Sequence, residues 1–134
     1  MSLLPAPSRW HRPLRSAIAI SLGAIPGGLA RYYLELLFQN WLGQTFPFGT
    51  LFIDVTGCFC MGIVVSLRFS PDIQLLVMTG FLGAYTTFSS YSLEVINMAE
   101  RSQFGLALLY WFGAPVLGIG AVRLGLLLRQ ERPL

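Results

Sequence analysis

Residues 83–92 read Gly-Ala-Tyr-Thr-Thr-Phe-Ser-Ser-Tyr-Ser, GAYTTFSSYS, and they interrupt an apolar window that runs from about Ile73 to about Ala99. A continuous helix in hydrocarbon has little use for glycine and clustered hydroxyls at mid-membrane. A locally unwound segment, by contrast, frees main-chain carbonyls, which are hard oxygen ligands for a small cation. The stretch predicts a broken span that handles an ion at bilayer depth. Just downstream, Thr87, Ser90 and Glu94 follow at steps of three and four and form a polar stripe. Phe88 and Tyr91, three apart, present aromatic edges whose partial positive charge can meet an anion. The alternative for each hydroxyl is a bond back to its own helix, and for the two rings ordinary packing.

Outward from that window, the 134-residue chain is 54% hydrophobic and 11% charged, far from the composition of a soluble domain. Three more windows are long enough to cross a bilayer, from about Ser16 to Phe38, Phe48 to Phe69 and Phe104 to Leu128. Together the four predict an all-α integral membrane protein, a single four-helix membrane domain over residues 1–134 with no soluble domain. The first window follows a basic stretch, yet it is long, carries Gly, Pro and Arg, and shows no small-residue cleavage site. It reads as a retained span, not a secretory signal.

All nine basic residues are Arg, and they are not clustered into a nucleic-acid patch. Arg9, Arg12, Arg15, Arg68, Arg129 and Arg132 fall on the side shared by both termini and the middle turn, whereas Arg31 and Arg101 lie toward the other and Arg123 within the last span. The positive-inside tendency then places both termini in the cytoplasm of a multi-pass protein of the cell (inner) membrane, inserted mainly in one orientation among its lipids. His11 belongs to the Arg-rich N-terminus (Pro5, Pro7, Arg9, Arg12) and reads as interfacial or solvated. Cys58 and Cys60 point roughly 200° apart on a helix and cannot grip one metal, so they read as packing residues.

Polar groups inside spans mark the places where a membrane protein works. Gly23-Ala24-Ile25-Pro26-Gly27-Gly28 repeats small residues that allow another helix to approach closely, ahead of Arg31. That Arg reads either as paired with Glu35 one turn on or as an anion attractor in a vestibule. Gly49 to Phe59 places Thr50, Asp54, Gly57 and Met61 on one side of a helix. A carboxyl two turns into a span must face protein or water, find a partner or carry a proton, so Asp54 is either an interhelical bond or part of a pore. No nucleophile with a neighbouring base, no P-loop and no metal-ligand spacing is present, which excludes an enzyme.

The three segments, in order and spacing, resemble the motifs of the Fluc (CrcB) family of fluoride channels, over essentially the whole chain. Gly23 to Tyr32 resembles GG-x-x-GA-x-x-RY, Gly49 to Gly57 resembles GTL-x-VN-x-x-G, and Gly83 to Glu94 resembles GG-x-TTFSTFS-x-E. The resemblance implies an antiparallel dimer of four-helix subunits, with fluoride pathways along the interface and a central sodium ion. Sodium would be held by the main-chain carbonyls of Gly83 and Thr86. Phe88 and Tyr91 would line the fluoride path, with Thr87, Ser90, Glu94, Thr50, Asp54 and Tyr110 on the adjoining polar track and Arg31 at the family's Arg position. Three positions depart from the pattern: Asp54 stands where the family has Asn, Tyr91 where it has Phe, and Ala114 where it usually has Ser.

The resemblance thus implies passive export of fluoride, lowering its cytoplasmic concentration. An ionised Asp54 would repel the anion. The departures and the one-sided Arg distribution suit a half-functional or non-conducting subunit of a heterodimer, paired with an oppositely oriented paralogue, as well as a homodimer. A third possibility is a proton-coupled transporter using Asp54 and Glu94 as carriers.

Overall fold

A computed structural model describes residues 8–67 and 69–130, with side chains from Pro13 to Leu128. Pro5, Pro7, Arg68 and Arg132 lie outside the described residues, as do the side chains of Arg9, His11, Arg12 and Arg129. Helix α1 spans Ser8–Leu42, α2 Phe48–Ser66, α4 Phe88–Glu100 and α5 Phe104–Gln130. Between α2 and α4 lies α3, built of Pro71–Gln74, a π-helical stretch Leu75–Leu82 and a last turn Gly83–Tyr85. No strand occurs among the described residues. Pro13–Leu42, Phe48–Ser66 and Phe104–Leu128 are each long and apolar enough to cross a membrane, which makes this an all-α membrane protein.

Glycine decides how closely these helices approach. A Cβ on Gly23 would run into the Leu76 carbonyl, one on Gly27 into the Phe81 carbonyl, and one on Gly80 would lie 2.5 Å from Ile20 O, so α1 and α3 meet backbone to backbone. Gly28, next around the helix from Gly27, faces open space, so only part of the small-residue run is used for this packing. Gly62 and Gly125 seat α2 on α5 in the same way. Pro26 is accommodated inside α1, which continues unbroken to Leu42.

The N-terminal end of α1 is tied to the start of α3 by the Arg15–Asp72 ion pair at 2.5 Å. At the opposite end, Arg101 Nη1 donates to the Gln44 carbonyl at 3.2 Å and joins the α4–α5 turn to the α1–α2 loop. Between these ends Tyr91, Val95, Met98, Ala107 and Tyr110 pack α4 onto α5, with Phe46 closing the cluster from the α1–α2 loop.

Candidate functional site

The helix that enters the site ends because its next two residues are extended. Thr86 has φ −85° and ψ 153°, and Thr87 has φ −150° and ψ 117°. Thr86 closes the incoming helix with both its N–H and its hydroxyl, which donate to the Leu82 carbonyl at 3.0 Å each. Thr87 opens α4 as its N-cap, its Oγ1 accepting from the Ser90 N–H at 3.3 Å. Ser89 Oγ lies 3.0 Å from the same Oγ1, and Ser92 bonds back to the Phe88 carbonyl at 2.9 Å.

Two amides are thereby diverted. In a continuous helix the Thr87 N–H would donate to Gly83 O and the Ser90 N–H to Thr86 O. Here the Thr87 N–H donates to Asp54 Oδ1 at 2.9 Å, and the Ser90 N–H goes to the Thr87 hydroxyl. Gly83 and Thr86 therefore carry carbonyls relieved of their helical donors. The Ala84 carbonyl between them accepts from Arg31 Nε at 3.2 Å, while Arg31 Nη1 lies 3.9 Å from Glu35 Oε1. Arg31 therefore sits beside the interruption, with α1 continuing eleven residues beyond it to Leu42.

Asp54, half-buried near the middle of α2, thus has a defined partner: it caps the restart of α4 across the helix pair. One turn further along α2, Gly57 makes room for the Thr86 methyl, where a Cβ would collide. One turn back, buried Thr50 donates from Oγ1 to Glu94 Oε1 at 2.6 Å. Tyr110 donates to the other oxygen, Glu94 Oε2, at 3.0 Å, so this carboxyl links α2, α4 and α5.

The two aromatics part company. Phe88 is 77% exposed, whereas Tyr91 is 6% exposed and its hydroxyl donates to the Trp111 carbonyl at 2.5 Å. Their ring centroids are 5.6 Å apart, and Tyr91 also packs 5.2 Å from Tyr110. The Trp111 carbonyl is open to this bond because Pro115, four residues on, has no N–H to give it.

These residues border two cavities. An open, largely apolar groove of about 370 Å³ is lined by Asp54, Thr86, Thr87, Phe88, Tyr91 and Pro115, with Ala114 beside them. A polar cavity of about 200 Å³ toward the Gln44 end is lined by Glu35, Gln39, Thr50, Glu94, Asn97 and Arg101. The candidate residues are thus brought together in two groups: Asp54, Thr86, Thr87, Phe88 and Tyr91 at the groove, Thr50 and Glu94 at the polar cavity. Tyr110 joins the second group through Glu94 and touches the first through Tyr91. Arg31 and Gly83 lie behind the interruption on the α1 side, and Ser90 serves the cap of α4. Among the described residues no cluster of three His, Cys, Asp or Glu side chains is poised for a metal.

A family model described as CrcB-like protein, Camphor Resistance (CrcB), matches residues 18–126. A fluoride-specific ion channel FluC of Trichormus variabilis is 46% identical over 121 residues, covering 86% of this chain and 88% of the relative. Proteins of the same name from a Synechococcus and a Synechocystis species are 44% identical over 122 residues and 46% identical over 123 residues. The alignments cover 87% and 88% of this chain and 94% and 95% of those relatives. With a family model spanning most of its length and relatives this similar from end to end, the chain belongs to the CrcB family.

Proposed function

We propose that this chain is a subunit of a passive, fluoride-selective channel of the cell membrane, and that fluoride runs along the groove bordered by Thr87, Phe88 and Tyr91. The observation that carries this reading is the likeness, at 46% identity over most of both chains, to a protein named a fluoride-specific ion channel. The groove suits the chemistry: a dehydrated anion there meets the Thr87 hydroxyl and the positive edge of the exposed Phe88 ring. A negative-inside membrane potential drives a passive anion outward, so such a channel exports fluoride without a pump. Both termini then lie in the cytoplasm, and the third crossing is the composite α3–α4 with its interruption at Thr86 and Thr87.

The groove is open along one side, which suits a second subunit, antiparallel to the first. Sodium would be held at the interruption by the Gly83 and Thr86 carbonyls of each subunit. These are the two carbonyls whose helical amides are diverted to Asp54 and Thr87, and they offer the oxygen donors that a small hard cation takes. Bound there, the ion would supply a fixed positive charge between the helices.

Asp54 favours a refinement, in which this chain is one half of a heterodimer and its own fluoride path is impaired. Its carboxyl borders the groove where a negative charge opposes anion entry. Reconstituting the chain alone in liposomes and following fluoride efflux tests both readings. Fast, chloride-excluding efflux establishes a homodimeric channel and removes the heterodimer. Efflux that appears only with a second CrcB-type subunit establishes the heterodimer. No fluoride efflux in either arrangement overturns the channel.

A further inference from the structure

The groove and the polar cavity lie one helical turn apart along the same pair of helices. Asp54 and Tyr91 line the first; Thr50 and Glu94 line the second. The side chains that link them are buried: Tyr91, 6% exposed, borders the groove and packs 5.2 Å from Tyr110, 2% exposed, which bonds to Glu94 at the polar cavity, while Ile53, 0% exposed, lies between Thr50 and Asp54 along α2. An ion passing from one cavity to the other directly along this line of side chains requires one of them to move. Ile53 has no polar tether, and Tyr110 is tied to Glu94, itself a side chain. Tyr91 alone of the three is tied to backbone, at the Trp111 carbonyl that Pro115 leaves without an amide donor.

We propose that Tyr91 is a latched partition between the two cavities, held shut by its hydrogen bond to the Trp111 carbonyl, and that Pro115 is the positioning residue that makes this carbonyl available. The proposal rests on the channel reading and adds to it a specific restriction on passage. Were residue 115 to carry an N–H, helical geometry would direct it to Trp111 O, and the hydroxyl would have to share that oxygen with it. A phenylalanine at 91 keeps the ring and its packing against Phe88 and Tyr110 but cannot be latched.

The test combines a spectroscopic readout of the bond with transport. With Trp10 and Trp41 replaced by Phe, 1-13C-tryptophan labels the Trp111 carbonyl alone, and its amide I band reports whether the carbonyl accepts a hydrogen bond. The expected result is a band shift to higher frequency in Tyr91→Phe. Fluoride efflux should rise roughly two- to tenfold, the span of one uncharged hydrogen bond. Pro115→Ala, which makes the hydroxyl share the oxygen, should raise efflux less than Tyr91→Phe does, and the double variant should match Tyr91→Phe alone, because both act through one oxygen. An unmoved band in Tyr91→Phe overturns the latch. A moved band with unaltered efflux overturns the partition and leaves a merely structural bond. Additive effects of the two substitutions overturn the shared carbonyl. Absence of efflux in every variant, with the band shift present, overturns the channel reading and the partition with it, but not the bond.

Discussion

Replacing Asp54 with Asn separates the two things this side chain does. Its Oδ1 accepts the Thr87 N–H at 2.9 Å, and an asparagine carbonyl can accept the same bond, so the interruption at Thr86 and Thr87 should persist. What changes is the face turned to the groove, where Asn offers an N–H donor in place of a carboxyl oxygen. A cavity of about 370 Å³ has an equivalent radius of about 4.5 Å, so an anion inside it lies near that distance from the residue bordering it. Two like charges about 4 Å apart at an effective dielectric constant near 20 repel by about 4 kcal/mol, close to a thousandfold in occupancy. Asp54→Asn should therefore raise fluoride efflux from reconstituted liposomes, read with a fluoride electrode, by two to three orders of magnitude if anion entry limits the rate. Loss of the charge should weaken the capping bond and lower stability by about 1 kcal/mol. Efflux within about twofold of the parent, from a variant that remains folded, would refute the reasoning, because it would show that Asp54 places no effective charge on the groove.

Other substitutions probe the rest of the site. Thr50→Val removes the donor to Glu94 Oε1, and the stranded carboxyl oxygen should cost about 1–3 kcal/mol, measured by unfolding in detergent; Glu94→Gln should recover part of that loss. Arg31→Ala leaves the Ala84 carbonyl without its donor and should destabilise the protein by a similar 1–3 kcal/mol, with Arg31→Lys a poor substitute because it has no Nε at that position. Gly80→Val should abolish monodisperse protein by forcing α1 from α3, whereas Gly28→Ala, which meets nothing within 4 Å, should elute and transport as the parent does. If the chain pairs around sodium as proposed, replacing sodium by a bulky organic cation should shorten the lifetime of that pair in crosslinking assays, and an unchanged lifetime would remove the sodium site.

Membership of the family and the all-helical membrane character were legible in the sequence, because lipid demands long apolar helices and the three polar segments are specific in type and spacing. Hydrogen-bond destinations were not. That Arg31 would reach the Ala84 carbonyl, and not only Glu35, depends on Gly23, Gly27 and Gly80 letting α1 and α3 touch. Packing of that kind joins residues more than fifty positions apart. The π-helical stretch Leu75–Leu82 leaves no mark in an apolar run, since periodicity does not separate it from an α-helix. Phe88 and Tyr91 looked equivalent at a three-residue step, and their exposures of 77% and 6% separate them. Pro115 was readable, but its meaning required knowing which side chain faces Trp111.

In the proposed channel Asp54 would act on two ions with opposite sign. By drawing the Thr87 N–H away from Gly83 O, it helps keep a main-chain oxygen free for a cation, and a carboxylate holds that N–H more firmly than an amide does. An ionised carboxyl near the interruption would attract the cation as well. The same charge opposes an anion in the groove. If both ions bind as proposed and the carboxyl is ionised, Asp at this position favours the cation site at the expense of anion passage. It follows that Asp54→Asn should move the two ions in opposite directions, weakening the sodium dependence of assembly while speeding fluoride. A variant that strengthened or weakened both together would show that Asp54 acts through the fold alone.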